Sequence, residues 1–210
     1  MNEHIFHPGI QLGAKPATTQ AAEGLPRRCW SVAEIEAMIK AGIISEDERF
    51  EMIGGEIVPM SPKGARHEWI KMILNEYFQA SKPAGLAIIP ETTLRLGPST
   101  FVEPDFCIFA RNVSLDTLDG PHVLLAVEVA DSSLAYDLGS KINIYAAHGV
   151  QEVWVINARN LVTRVHRKLT SAQYSEISEF NCTSTISAST VPDITLCLSD
   201  LGLEPLNNQD

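Results

Sequence analysis

The chain has 210 residues, 45% of them apolar and 20% charged, with a formal net charge of −10. That length suits one domain with one core, and the composition excludes a chain too polar to fold. The acidic balance argues against a protein that coats nucleic acid by broad electrostatic attraction, but not against a nuclease whose carboxylates hold metal. With no apolar run of about eighteen residues, no membrane span is expected. Met1 to Lys15 lacks the basic start and apolar run of a signal peptide, so the expected location is cytoplasmic. The four cysteines, Cys29, Cys107, Cys182 and Cys197, include no C-x-x-C pair and read as reduced thiols.

In chain order, residues 1–26 are polar and small with no sustained period, and a flexible N-terminal arm is expected. Residues 27–200 read as a single domain and 201–210 as a loose C-terminal tail. Ser31 followed by Glu34 is a capping-box signature, and Ile35, Met38 and Ile39 continue at helical spacing until Gly42. Phe50 to Ile53 and Glu56 to Met60 flank Gly54-Gly55, which predicts a β-hairpin. After Ser61-Pro62-Lys63-Gly64, residues Arg66 to Ala80 read as a helix with Trp69, Met72, Ile73, Tyr77 and Ala80 on one face.

Four strand-like segments follow, at 86–96, 101–109, 123–130 and 152–157. Ser133 to His148 reads as a single helix ended by Gly149, so the last two strands should run parallel. Residues 161–168 add an antiparallel strand after a turn at Ala158 to Asn160. Beyond Thr170 irregular structure is expected, with a short strand near Ile194 to Leu198. The core order of helix, three strands, helix and strand predicts an α/β fold: a mixed β-sheet flanked by helices, preceded by an N-terminal helix and a β-hairpin.

Two carboxylates stand where strands should be. Asp105 follows Val102-Glu103-Pro104, and Glu128 lies in Val127-Glu128-Val129-Ala130. A carboxylate in such a run is costly to bury unless a cation or lysine pairs with it. If the two strands pair in suitable register, both acids meet at one point. Magnesium prefers oxygen ligands and keeps several waters, so two carboxylates suffice, with the Val129 carbonyl as a further ligand; Mn2+ is a possible substitute. Such an ion polarises a phosphate and acidifies a bound water. At about 100° per residue, Leu134, Leu138, Ile142 and Tyr145 form an apolar stripe with Lys141 on its margin. Lys141 can reach the acids and assist the attacking water, or lie over the surface as a snorkelling lysine. Asp137, one turn earlier, either pairs with Lys141 or joins the site. Tyr145 and Trp154 read as core, Asp131 with Ser132-Ser133 as a helix cap, and Glu103 as lying outside the site.

Pro104-Asp105 followed by Glu128-Val129-Ala130 is similar to the Pro-Asp…(Asp/Glu)-x-Lys signature of restriction-endonuclease-like nucleases. The chain more specifically resembles the Uma-two family of restriction-endonuclease-like proteins. The resemblance runs through Phe50 to Glu56, Met60-Ser61-Pro62 with His67 downstream, Pro104-Asp105, and Val127 to Ile156. It implies the restriction-endonuclease-like fold over residues 28–200 and a Mg2+-dependent endonuclease acting on DNA, with Asp105, Glu128 and Lys141 catalytic. The usual lysine position holds Ala130, and Lys141 is its replacement. The resemblance also sets the hairpin near the site, making Glu51 and Glu56 candidate additions to the metal shell. His67 reads either as a cap or surface histidine or as a residue that contacts a phosphate or helps orient the site. A homodimer is expected, with the hairpin and N-terminal helix supplying the interface. The competing reading is a catalytically weak nuclease-fold module acting in nucleic-acid binding or assembly.

Overall fold

Ser31 caps helix α1, Val32–Lys40, in a reciprocal box with Glu34. Such a box satisfies two of the backbone donors that a helix start leaves open. This is the first element of a computed structural model that describes residues 28–206. The arm expected at residues 1–26 lies outside the described residues, as do residues 207–210.

Strands β1, Phe50–Ile53, and β2, Glu56–Pro59, pair antiparallel around Gly54 and Gly55, whose φ angles are 59° and 85°. Left-handed φ at both central residues suits a tight hairpin and favours glycine. Helix α2, Ala65–Ser81, follows. Its buried stripe is Ile70, Leu74 and Phe78, while Trp69 is 54% and Met72 43% exposed. This corrects the face expected from sequence, of which only Ile73 and Tyr77 are partly covered. Apolar residues surround this helix, and the sheet selects the stripe whose Phe78 ring meets Phe106 at 5.3 Å between centroids.

The expected strands 86–96 and 101–109 each break in two. The first divides into β3, Leu86–Pro90, and β4, Leu94–Gly97; the second into β5, Thr100–Val102, and β6, Phe106–Ala110. The breaks lie abreast, because Glu91 N–H donates to the Asp105 carbonyl at 3.2 Å. Pro104 has no N–H to continue a ladder, and Glu91 adopts a left-handed φ of 48°. After β7, Val123–Ala130, come two short helices, α3, Leu134–Asp137, and α4, Ser140–Ala147, where sequence predicts one. Gly139 makes the break: its φ of −113° and ψ of −99° are not helical, and a Cβ there would lie 2.8 Å from the Ala135 carbonyl oxygen.

Strands β8, Val153–Asn157, and β9, Thr163–Thr170, match expectation, with β8 parallel to β7 and β9 antiparallel to β8. The region beyond Thr170 is more regular than expected. It contains strand β10, Gln173–Phe180, and the small pair β11, Ile186–Ser187, and β12, Thr195–Leu196. As an edge strand with one solvated face, β10 needs little apolar patterning, and its Glu179 and Glu176 face Arg164 and Arg167. Order continues past residue 201: Leu203 is buried, and Leu206 N–H donates to the Arg159 carbonyl.

The result is an α/β fold with a six-stranded mixed sheet in the order β10-β9-β8-β7-β6-β3. One face packs Ile70, Leu74 and Phe78 of α2 against Val127, Val129 and Trp154. The other packs Ile142, Tyr145 and Ala146 of α4 against Ala126, Ala130 and Val155. A second antiparallel sheet, β2-β1-β5-β4, carries α1 on Phe50, Met52 and Phe101. Strand alternation therefore turns Glu51 away from α1, on the opposite face of the hairpin. No helix among the described residues is long and apolar enough to cross a membrane.

Candidate active site

Where β6 begins, its ladder with β7 stops at the pair Phe106 and Val127. The next N–H on that side of β7 belongs to Val129, and Asp105 Oδ2 accepts it at 2.8 Å. Asp105 thus replaces the partner that Pro104 removes from the ladder. Ala126 and Ala130 direct their backbone groups to the β8 side, so the N–H and C=O of Val129 point toward Asp105. Glu128, on the α4 face, lies beside this point because residues 105 and 128 continue the β6–β7 register.

Four carboxylates converge here: Glu51, Asp105, Glu128 and Asp137, each 2–4% exposed. Lys141, on the first turn of α4, sits between two of them, with Nζ 2.9 Å from both Glu51 Oε1 and Glu128 Oε1. Lys63 Nζ lies 3.0 Å from Asp105 Oδ1, and His67 Nε2 lies 3.1 Å from Asp105 Oδ2. The Tyr145 hydroxyl donates to Glu128, and the Tyr136 hydroxyl to Glu51 at 2.8 Å. Glu51 also accepts the Glu103 N–H at 3.1 Å, tying the hairpin to the sheet. Ser133 donates its hydroxyl to Asp137. The four acids, Lys63, Lys141, His67 and Tyr136 line a cavity of about 290 Å³ that also touches Met60 to Gly64, Val129 and Asp131 to Ser133, with Tyr145 behind Glu128 and outside the lining.

The charges are unevenly balanced. Burial drives Glu128 upward in pKa, and the Asp137 and Asp105 charges add to this against the pull of Lys141. Burial also raises Asp137. Burial works on Asp105 too, but His67, Lys63 and the Val129 N–H hold it well below the usual carboxylate range. Burial opposes the charge on Lys141, yet Glu128, Glu51 and Asp137 raise it well above an ordinary lysine. Burial and the nearby Glu128 charge push the Cys107 thiol up to about 12, which leaves it inert.

Of the residues singled out from sequence, the fold brings together Asp105, Glu128, Lys141, Val129, Asp137, Glu51 and His67. Glu56 is exposed on β2 and does not line the cavity. His67 is buried against Asp105 instead of capping a helix at the surface. Glu103 lines the cavity, although its carboxylate turns to Arg49 at 3.1 Å. Ser133 precedes α3 without a side-chain cap. Sequence reasoning missed Lys63, Tyr136 and the hydroxyl of Tyr145. A lysine in the Ser61-Pro62-Lys63-Gly64 loop, four residues before a helical histidine, is the signal that points to Lys63. The basic stretch Arg164 to Lys168 is no open patch, since Arg164 pairs with Glu179 and Lys168 with Glu176. Arg28 pairs with Glu34 at 2.7 Å, and Arg27 lies outside the described residues.

Among the described residues no three His, Cys, Asp or Glu side chains stand ready to hold a metal ion. Lysines occupy the positions between the acids. The donor chemistry nevertheless fits a hard divalent cation, because among the described residues the four carboxylates outnumber the cations Lys63 and Lys141 with His67 beside Asp105, and the oxygen of Val129 lies next to them.

The mixed sheet, with buried acids and a lysine where β6 and β7 part, defines an α/β protein of nuclease-like fold. The family model described as Uma2, putative restriction endonuclease, matches residues 32–201, and the chain belongs to that family. Among solved structures it is similar to a putative nuclease belonging to DUF820 from Anabaena variabilis. That likeness has 16% identity and a TM-score of 0.58, covering 77% of this chain and 94% of the other. A DrdV–DNA complex is a more distant match, at 12% identity and a TM-score of 0.32 over 54% of this chain and 12% of that one. No curated protein matches the chain.

Proposed function

We propose that this protein is a divalent-metal-dependent endonuclease that hydrolyses DNA phosphodiester bonds. The observation that carries the reading is the excess of buried carboxylate at one cavity, with a lysine fixed between two of the acids. Buried carboxylates with perturbed pKa in a cleft mark a functional site more often than a structural one. Membership of the family adds nucleic acid as the substrate class.

Asp105, Glu128 and the carbonyl of Val129 would hold Mg2+, or Mn2+ in its place. The ion supplies a Lewis acid for the phosphate and a more acidic bound water. His67 fixes the Asp105 carboxylate from the α2 side, and the Val129 N–H fixes it from the strand. Tyr145 does the same for Glu128, leaving Glu128 Oε2 free of that bond. Lys141 holds its ammonium between Glu51 and Glu128, where it can stabilise negative charge on a phosphate entering the cavity. Glu51 orients Lys141, and Tyr136 orients Glu51.

The test is nicking of supercoiled plasmid with Mg2+ against EDTA. Nicking should require the metal and should fall by at least about a hundredfold in Asp105→Ala and Glu128→Ala proteins. Full activity in either variant refutes the assignment. A second reading, a nuclease-fold module with little turnover, is favoured by the lysines already bound to both acids. Calorimetric titration separates the two: a protein that takes up neither Mg2+ nor Mn2+ at millimolar concentration belongs to the second.

A further inference from the structure

Beside the candidate active site lies a second cavity, and the two share Met60, Ser61, Pro62 and Lys63 as lining. Its floor is a cation cluster built around one carboxylate oxygen. Glu91 Oε1 receives Lys71 Nζ at 2.8 Å and Arg49 Nη2 at 3.4 Å, and Lys63 Nζ also reaches it. The three cations come from β1's approach, the loop before α2, and α2 itself. Each also has a carboxylate of its own: Glu103 for Arg49, Asp105 for Lys63, and Glu68 for Lys71. Three cations therefore face four carboxylates, and Glu91 is the acid with no private partner.

Glu91 sits at the corner between β3 and β4 with a φ of 48°, a left-handed conformation that a non-glycine residue rarely adopts. Convergence of ammonium and guanidinium donors on a single oxygen is the geometry that receives a phosphate oxygen. A phosphodiester carries one negative charge, as the Glu91 carboxylate does, so exchanging one for the other leaves the cluster's charge unchanged.

We propose that Arg49, Lys63 and Lys71 form a binding subsite for a DNA backbone phosphate next to the scissile one, and that Glu91 occupies this subsite until DNA displaces it. This deepens the nuclease reading and rests on it for the identity of the ligand. Lys63 links the two sites, because it contacts Asp105 on one side and Glu91 on the other. Capture of the Asp105 carboxylate by a cation would release Lys63 toward the phosphate, so the two sites would fill together.

The experiment is binding of a fluorescein-labelled duplex oligonucleotide to the full chain, followed by anisotropy across a salt series in EDTA. Without divalent metal there is no turnover, and the readout is independent of catalysis. Removing the competing anion in Glu91→Gln should tighten binding about tenfold at low salt and steepen the salt slope by about one. Lys71→Gln should weaken binding and flatten the slope by about one. Circular dichroism checks that each variant folds. Should Glu91→Gln not fold, Lys71→Gln decides alone. Unchanged or weaker binding by folded Glu91→Gln, or wild-type binding by Lys71→Gln, overturns the subsite. A protein that shows both shifts but never nicks plasmid keeps the subsite and loses the nuclease reading. One that nicks plasmid and shows neither shift loses only the subsite.

Discussion

Replacing Lys141 by methionine tests the electrostatics of the cavity most directly. The change keeps an unbranched stem of similar length and removes one charge from between Glu51 and Glu128. Both carboxylates then lose a 2.9 Å contact while remaining almost wholly buried. Breaking a buried ion pair from one side costs about 3–5 kcal/mol, because the other charge is left without compensation. Two acids share this lysine, so the upper half of that range is expected. Protonation of Glu128 relieves part of the loss. Its pKa is already raised by burial, and without the lysine it rises further. A carboxyl whose folded pKa lies above its unfolded value binds more protons in the folded state, so its contribution to stability falls as pH rises. The deficit of the variant should therefore widen with pH, by at most ~1.4 kcal/mol per unit, between the wild-type and variant pKa of Glu128. Burial already raises Glu128 to about 8 in the wild type, so urea unfolding in EDTA from pH 7 to pH 10 measures this. A deficit under about 1 kcal/mol, or one that stays constant with pH, refutes the picture of a lysine compensating buried carboxylates.

Two further predictions concern the scaffold. His166 is buried beside Tyr174 with neither ring nitrogen hydrogen-bonded, and burial followed by the nearby Arg164 charge lowers its pKa to about 4. The unfolded chain then binds the extra proton between about pH 6.5 and pH 4, so this residue costs stability as pH falls through that window. His166→Phe should remove an acid-side loss of about 1–2 kcal/mol, read as the difference in urea midpoint between pH 7 and pH 4.5; identical pH profiles would contradict it. Gly139→Ala should destabilise the chain by about 1–3 kcal/mol, since the new Cβ meets the Ala135 carbonyl oxygen of α3. A melting temperature within about a degree of wild type would show that the helix break does not need glycine.

Much of the site was legible in local pattern. Ser31 with Glu34, and Gly54-Gly55, announce their elements because capping and tight turns depend on a few adjacent residues. Asp105 and Glu128 stand out because a carboxylate in a β-branched run needs a partner. The companions of those acids were far less legible. His67 and Tyr145 look like ordinary helix residues, and only the crossing of α2 and α4 over opposite faces of one sheet aims them at Asp105 and Glu128. Glu51 is marked only by the family resemblance, and Lys63 only by its place in a loop before a helical histidine. Each reaches the site across more than forty residues of sequence, to Glu103 in one case and Asp105 in the other.

The order of the main helices and strands was readable from sequence alone, and so was the prominence of Asp105, Glu128 and Lys141 as candidates, because these rest on propensity, spacing and the cost of burying charge. Tertiary structure alone decided where strands 86–96 and 101–109 break, which stripe of α2 is buried, and which cation meets which carboxylate. Those outcomes depend on distances between segments remote in the chain, and local periodicity holds no record of such distances.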